Sequence, residues 1–343
     1  MQAGIITGKG QLELREFPDP DPRPGGVVVD IRYCGICGTD VQAYQHGGEY
    51  QAALCGHEWA GTVSKVAAGV DRVREGDRVC VSIRPACGEC AECRAGHGDW
   101  CLPAMMGLGG GDPAGSSRHG GFAPAIAVGA NRVAKVPREL SDEAAAQVEP
   151  ATVAYHGVRM SSLRLGDFTV VQGAGPIGLF TLQWVRAAGA GELVVVEPAP
   201  ERAALARSLG ATLVCTPEEV RELVAERTGG LGADAVFECV GRPDTIQSAA
   251  DLARRGASLT IIGLSHRPAS ISPGSFLMKE LDLHCSIAYQ HAEFDRAMAM
   301  MAEGRVRADP IHTGTVGMDG LESAIQGLAA GSKDTKILLD PHL

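Results

Sequence analysis

The chain changes its hydrophobic rhythm near the middle. Up to about residue 140, short apolar runs at 27–29, 63–66, 78–81 and 125–128 recur between glycines, prolines and polar turns. Runs this short, rich in valine and bounded by turn formers, predict the strands of an irregular β-rich lobe. From about residue 160, runs at 169–171, 193–196, 213–214, 235–239 and 258–262 alternate with Ala-, Glu- and Arg-rich stretches of helical length. Strands separated by helices imply crossovers, which give a parallel sheet covered on both faces. The second lobe therefore reads as doubly wound α/β. After the run at 281–287 the pattern predicts helices over 292–302 and 319–330 and a strand over 336–339. That tail is too short to stand alone and is expected to return to the first lobe.

Length agrees with two lobes, since one core seldom fills 343 residues. A hydrophobic fraction of 45% with 21% charged residues excludes a disordered scaffold. The net charge of −10 works against binding to a phosphate backbone, so nucleic acid is not an expected partner. The uncharged run 168–185 has the length of a membrane span, but Gln172, Gln183 and three glycines around Pro176 make it strand, turn and helix. No membrane association is expected. The first nine residues lack a cationic start followed by an apolar stretch, so a cytoplasmic chain is expected. Eleven cysteines in a reducing compartment then argue for metal or redox chemistry before disulfides.

The spacing of particular residues carries the chemistry. In Val170-Val171-Gln172-Gly173-Ala174-Gly175-Pro176-Ile177-Gly178-Leu179, a GxGxxG pattern joins an apolar strand to a helix. Gly173 permits the sharp turn, Gly175 lets a pyrophosphate approach the backbone, and Gly178 lets helix pack on strand. Glu197, nineteen residues after Gly178, ends the next strand, where a carboxylate accepts from adenosine ribose hydroxyls and repels a 2′-phosphate. NAD is preferred over NADP on that ground, with Arg202 as a cation within reach. Cys87, Cys90, Cys93 and Cys101 form C-x₂-C-x₂-C-x₇-C on a turn-rich loop, which fits a closed, structural zinc shell. An iron–sulfur cluster is the competing occupant. A second metal set is dispersed: Cys37, His57, Glu58 and Glu149 offer thiolate, imidazole and carboxylate donors, and three such ligands leave one position open.

Taken in order, CGICGTD around Cys37, GHE around His57, the four-cysteine lobe, EP at 149–150 and GxGxxG at 173–178 resemble the zinc-dependent medium-chain alcohol dehydrogenases. The resemblance extends over essentially the whole chain and is nearest to the polyol and threonine dehydrogenase branch. GHEW, QVEP and VVEPAPER are also similar to aminocyclitol dehydrogenases of antibiotic biosynthesis. The resemblance implies a GroES-like β-rich catalytic domain from 1–150 and 288–343, a Rossmann domain from 151–287, and an active site between them. It implies two zinc ions per chain, the catalytic one held by Cys37, His57 and either Glu58 or Glu149. It also implies NAD as hydride acceptor, a small-molecule polar secondary alcohol as substrate, and a homodimer or homotetramer.

Thr39 stands where the family uses a Ser or Thr to take the hydroxyl proton. The residue five after the ligand cysteine, a proton-passing histidine in many relatives, is Gln42 here. Tyr44, His46 or water are the substitutes weighed for that exit, and His119 is weighed as a residue lining the substrate cleft but read as a solvent-facing loop histidine. Two other readings are an NADPH-dependent zinc reductase of a carbonyl intermediate and a non-catalytic nucleotide- and metal-binding protein. Substrate identity is expected to depend on loops such as 105–118, which have no readable pattern.

Overall fold

The computed structural model describes residues 1–83, 85–105 and 117–343, so most of the 105–118 loop lies outside the described residues. The chain divides into two compact units. One comprises Met1–Glu149, Gln290–Ala302 and His312–Leu343, and the other Pro150–Tyr289 and Glu303–Ile311.

The second unit holds a six-stranded parallel sheet. Across it the strands run Leu213–Cys215, Leu193–Val196, Thr169–Gln172, Ala233–Glu238, Ala253–Ile261 and Asp282–Cys285. In chain order this is third, second, first, fourth, fifth, sixth, the Rossmann arrangement, with the order reversing beside the first strand. Val170, Val194, Val236 and Leu259 are fully buried, as strands covered on both faces require. Thr169–Gln172 ends at Gly173, whose φ of +91° is open to glycine at little cost. Helix Pro176–Ala187 follows, with proline in its first turn, where the missing N–H costs nothing. A Cβ on Gly178 would lie 1.9 Å from the Gly173 carbonyl oxygen, so the helix can start this close only on glycine.

The first unit is built on Gly26–Gly35, a strand long enough to take several partners. Its early half pairs with Ala125–Gly129, nearly its whole length with Glu58–Val66, and its end with Lys336–Leu339, all antiparallel. Arg78–Val81 and Val133–Lys135 extend the sheet on one side, and His312–Val316 adds to Lys336–Leu339 on the other. Val27, Val29, Ile31, Val63, Val79, Phe122 and Leu339 form its core. Of the tail, Gln290–Ala302 and His312–Leu343 return to this unit.

The structure differs from expectation in three places. Glu303–Ile311 leaves the tail and packs with the second unit, whereas 288–343 was expected to stay whole. Buried Gln183 needs amide partners and finds them there, donating to the Arg307 carbonyl at 3.1 Å and accepting from the Arg307 N–H at 2.8 Å. Helix Gly38–His46 forms from a largely polar stretch, because its first turn is held by Asp40 instead of by an apolar stripe. Helix Val148–Met160 begins before the expected lobe boundary and carries Glu149 in its first turn.

Gly178→Ala is expected to destabilise the protein by about 1–3 kcal/mol, the cost of overpacking a close contact. Urea denaturation checks this; an unchanged midpoint would show that the strand–helix contact relaxes freely.

Candidate active site

The four-cysteine lobe is a cage. Short helices Ala91–Arg94 and Gly98–Trp100 fold the loop back on itself, and the four Sγ atoms all lie within 4.8 Å of one another. Cys87 Sγ is 3.9 Å from Cys93 Sγ, and Cys90 Sγ is 4.0 Å from Cys101 Sγ. A tetrahedron of thiolates about 2.3 Å from a central zinc has edges of roughly 3.8 Å. The cage therefore matches one ion; a multinuclear cluster would push the sulfurs farther apart. Backbone N–H groups of Cys87, Cys90 and Cys93 donate to the sulfurs of Cys101, Cys87 and Cys90 at 3.2, 3.3 and 3.5 Å. N–H groups of Glu89 and Cys90 draw the Cys87 thiol down to about 6, whereas desolvation and the neighbouring sulfurs push Cys93 up to about 12, so all four sulfurs ionise together only beside a cation.

A second donor cluster forms where Gly26–Gly35 ends and Glu58–Val66 begins. Cys37 caps the N-terminus of helix Gly38–His46. His57 follows Gly56, whose φ is +74° and whose Cβ would come within 2.5 Å of Phe122. Glycine at 56 therefore sets the turn that presents the imidazole. Donor atoms of Cys37, His57 and Glu58 all lie within 4.8 Å of one another. His57 Nδ1 is 2.9 Å from the Leu54 carbonyl oxygen, which can only accept, so Nδ1 carries the hydrogen and Nε2 is left as a ligand. Burial lowers the imidazole's proton affinity, but Cys37, Asp40 and Glu149 outweigh it and raise the pKa well above the usual histidine range. The surrounding negative charge thus calls for a cation at this point. One thiolate, one imidazole and one carboxylate suit zinc with an open coordination position.

The supporting residues were less visible in sequence. Asp40, fully buried, accepts from the Cys37 N–H at 3.0 Å, the Tyr50 hydroxyl at 2.9 Å and the Gly56 N–H at 3.4 Å. One carboxylate thereby ties together both ligand-bearing segments. Glu58 is paired with the buried Lys336 ammonium, which also donates to the Ile36 carbonyl at 3.0 Å. Of the two glutamates left open in sequence, Glu58 is the one grouped with Cys37 and His57. Glu149 is buried nearby, its carboxyl pushed up to about 7 by desolvation, with His57 and Lys336 opposing and Glu58 reinforcing the rise.

Thr39 Oγ1 is 3.5 Å from the Tyr50 hydroxyl. Tyr44 is not placed for a proton exit: its hydroxyl donates to Glu322 at 2.9 Å and accepts from Gln326 at 2.7 Å, joining two helices. His46 is exposed. His119 is buried against Phe17, with Nδ1 bonded to the Gly120 carbonyl at 2.8 Å, which corrects its reading as a solvent-facing residue.

On the second unit, Gly173, Gly175 and Gly178 form the predicted turn, and a Cβ on Gly175 would meet nothing within 4 Å. That open backbone, just before Pro176 and Ile177 in the first helical turn, suits a pyrophosphate. Buried Glu197 accepts from the Ala174 N–H at 2.8 Å and the Ala199 N–H at 2.9 Å, which fixes the carboxylate while each oxygen keeps a further lone pair. Arg202 lies half-buried on helix Pro200–Ser208.

Comparison with known proteins agrees with these features. An alcohol dehydrogenase GroES-like domain matches residues 23–138, and a zinc-binding dehydrogenase domain matches residues 176–303. The chain is 33% identical to (R,R)-butanediol dehydrogenase of Bacillus subtilis over all of both chains. It is 29% identical to sorbitol dehydrogenase of Halalkalibacterium halodurans over 99% of each. The crystal structure of the Bacillus subtilis 2R,3R-butanediol dehydrogenase superposes with a TM-score of 0.84, at 31% identity and 99% coverage of each chain. Structures of the same fold that hold NADP and NADH each cover 99% of this chain, at 28% and 25% identity and TM-scores of 0.87 and 0.85.

The chain belongs to the zinc-dependent medium-chain alcohol dehydrogenases, in the polyol branch of that family. It is a zinc-containing oxidoreductase of small-molecule secondary alcohols that uses a nicotinamide cofactor. Among the described residues no helix is long and apolar enough to cross a membrane.

Lys336→Met leaves the Glu58 carboxylate buried without its counter-charge. In chelator, the variant is expected to lose about 3–5 kcal/mol of stability, as breaking one side of a buried ion pair typically does. Chemical denaturation of both proteins checks this; equal midpoints would show that the pair is dispensable.

Proposed function

We propose that the chain is an NAD-dependent dehydrogenase of polar secondary alcohols, of the polyol, amino alcohol or aminocyclitol class. The convergence of Cys37, His57 and Glu58 on one point, three protein donors among the described residues, carries the reading. Cys37 Sγ, His57 Nε2 and Glu58 are assigned to the catalytic zinc, and Cys87, Cys90, Cys93 and Cys101 to a structural zinc. When bound, the catalytic ion supplies Lewis acidity to the substrate hydroxyl and the nicotinamide supplies the hydride acceptor.

The chain's own residues do the rest. Thr39 Oγ1 accepts a hydrogen bond from the substrate hydroxyl and so orients it, and the proton released on oxidation leaves to water. Asp40 holds the Cys37 and Gly56 backbones, so that thiolate and imidazole keep their spacing. Lys336 balances Glu58, and Glu149 adds negative charge beside the ligands without joining them. The first unit is taken as the catalytic domain and the second as the dinucleotide-binding domain. There Gly173, Gly175, Pro176, Ile177 and Gly178 set the pyrophosphate on a helix N-terminus. Glu197 accepts from the ribose hydroxyls and repels a 2′-phosphate, with Arg202 on the neighbouring helix contributing to the adenosine side.

The names of the relatives, butanediol and sorbitol dehydrogenases, support a vicinal diol or polyol as substrate. A homodimer or homotetramer is proposed because Asp282–Cys285 ends its sheet with Leu283 and nearby Ile287 exposed, and apolar edges of this kind favour self-association. A cytoplasmic location keeps the thiolates reduced.

The test joins metal analysis to kinetics. The wild type is expected to carry two zinc ions per chain and His57→Ala one, with turnover lost and NAD binding retained in the variant. Near-normal turnover in His57→Ala would sink the zinc mechanism.

Cofactor choice is checked separately through Glu197→Ala. Losing charge-assisted hydrogen bonds worth about 1.5–3 kcal/mol should raise KM for NAD by roughly 10- to 100-fold and narrow its advantage over NADP. A wild type that prefers NADP by kcat/KM overturns the assignment.

A further inference from the structure

Thr39 presents a lone pair to the substrate hydroxyl only in rotamers that turn its own hydrogen away. A threonine hydroxyl in the first turn of a helix has backbone groups within reach and turns readily toward them. Gln42, with an amide that neither releases nor takes a proton near neutrality, does not supply a titrating partner. The Thr39 rotor needs a fixed acceptor.

The hydrogen-bond directions around Asp40 supply it. The Asp40 carboxylate takes in three donors, the N–H groups of Cys37 and Gly56 and the Tyr50 hydroxyl, and of these the Tyr50 contact is the shortest at 2.9 Å. Tyr50 has one hydroxyl hydrogen, and Asp40 takes it. Burial and the adjacent Asp40 hold the phenol far above the usual tyrosine range, so it keeps that hydrogen throughout the pH range of folded proteins. Toward Thr39, 3.5 Å away, the Tyr50 oxygen can therefore offer only a lone pair. The contact is long for a hydrogen bond between hydroxyls, as catalytic contacts commonly are before substrate and cofactor close the site.

We propose that Tyr50 is the positioning residue for Thr39: anchored on Asp40, its phenol oxygen accepts the Thr39 hydrogen and leaves a Thr39 lone pair facing the substrate hydroxyl. The inference rests on the role given to Thr39 above. It assigns to Tyr50 no contact with substrate or metal. Polarity runs in one direction, from Thr39 to Tyr50 to Asp40, and the buried carboxylate sets it.

A double-mutant cycle tests it with the zinc-loaded holoenzyme, NAD and one secondary alcohol. Wild type, Thr39→Val, Tyr50→Phe and the double variant are compared by kcat, KM, zinc content and thermal midpoint. Tyr50→Phe keeps the ring and removes only the hydroxyl. It is expected to lower kcat by roughly 10- to 100-fold, part of the range typical of general acid–base assistance. KM should stay within about twofold and zinc content should be unchanged. Its deficit should shrink as pH rises, because hydroxide can then take the substrate hydrogen without an oriented acceptor. The double variant should be no slower than Thr39→Val alone, the signature of two residues acting as one unit.

Wild-type kcat in Tyr50→Phe, with Thr39→Val slow, overturns the Tyr50 assignment and leaves Thr39 standing. Multiplicative losses in the double variant, or loss of zinc in Tyr50→Phe, also overturn it by giving the phenol a separate or structural role. Wild-type kcat in Thr39→Val overturns the Thr39 role itself and the inference with it.

Discussion

Buried charge is the constraint around which the first unit is organised. Asp40, Glu58, Glu149 and Lys336 are all withdrawn from solvent beside Cys37 and His57. With every acid ionised, three carboxylates and a thiolate face a single ammonium. Low-dielectric surroundings do not tolerate such an excess unless it is compensated. A divalent ion with the proposed ligands offsets most of it. Desolvation, reinforced by Glu58, pushes the Glu149 carboxyl up to about 7. The same imbalance raises the His57 pKa despite its burial.

The backbone is arranged to serve that cluster. Strand Gly26–Gly35 delivers Cys37 two residues beyond its end, the neighbouring strand begins at Glu58, and Lys336 opens the strand on its other side. Three adjacent strand ends thus converge on one spot. Glycine is required at two of the approaches. A Cβ on Gly35 would collide with Glu58 and Lys336, and one on Gly56 with Phe122 and Cys34. The four-cysteine cage differs in kind, because its sulfurs are gathered by local turns and backbone N–H donors within fifteen residues of chain. Its geometry depends far less on the rest of the unit.

Much of this was legible before any coordinates. The C-x₂-C-x₂-C-x₇-C run and the GxGxxG turn are local, so their residue types and spacing already specify their geometry. The alternation of valine-rich runs with helical stretches likewise announced a parallel sheet, and the returning tail followed from its length. Asp40 stood in plain view inside CGICGTD, yet its function depends on Tyr50 and Gly56, and both lie outside the helix that carries it. The hairpin of Gln2–Gly8 and Gln11–Glu16 could have been recognised from the alternating Leu12 and Leu14, whereas the polar helix Gly38–His46 could not, since its first turn is held by Asp40.

The sequence by itself determined the two-unit α/β class, the metal-binding character of the cysteine lobe and the family, because each rests on short-range pattern. Only the tertiary structure decided which glutamate joins Cys37 and His57, that Lys336 neutralises it from 278 residues away, and that Glu303–Ile311 belongs with the second unit. Those outcomes depend on charges and amides finding partners across the fold. Such partners are selected by burial, which removes water as the alternative, and burial exists only once the chain has packed.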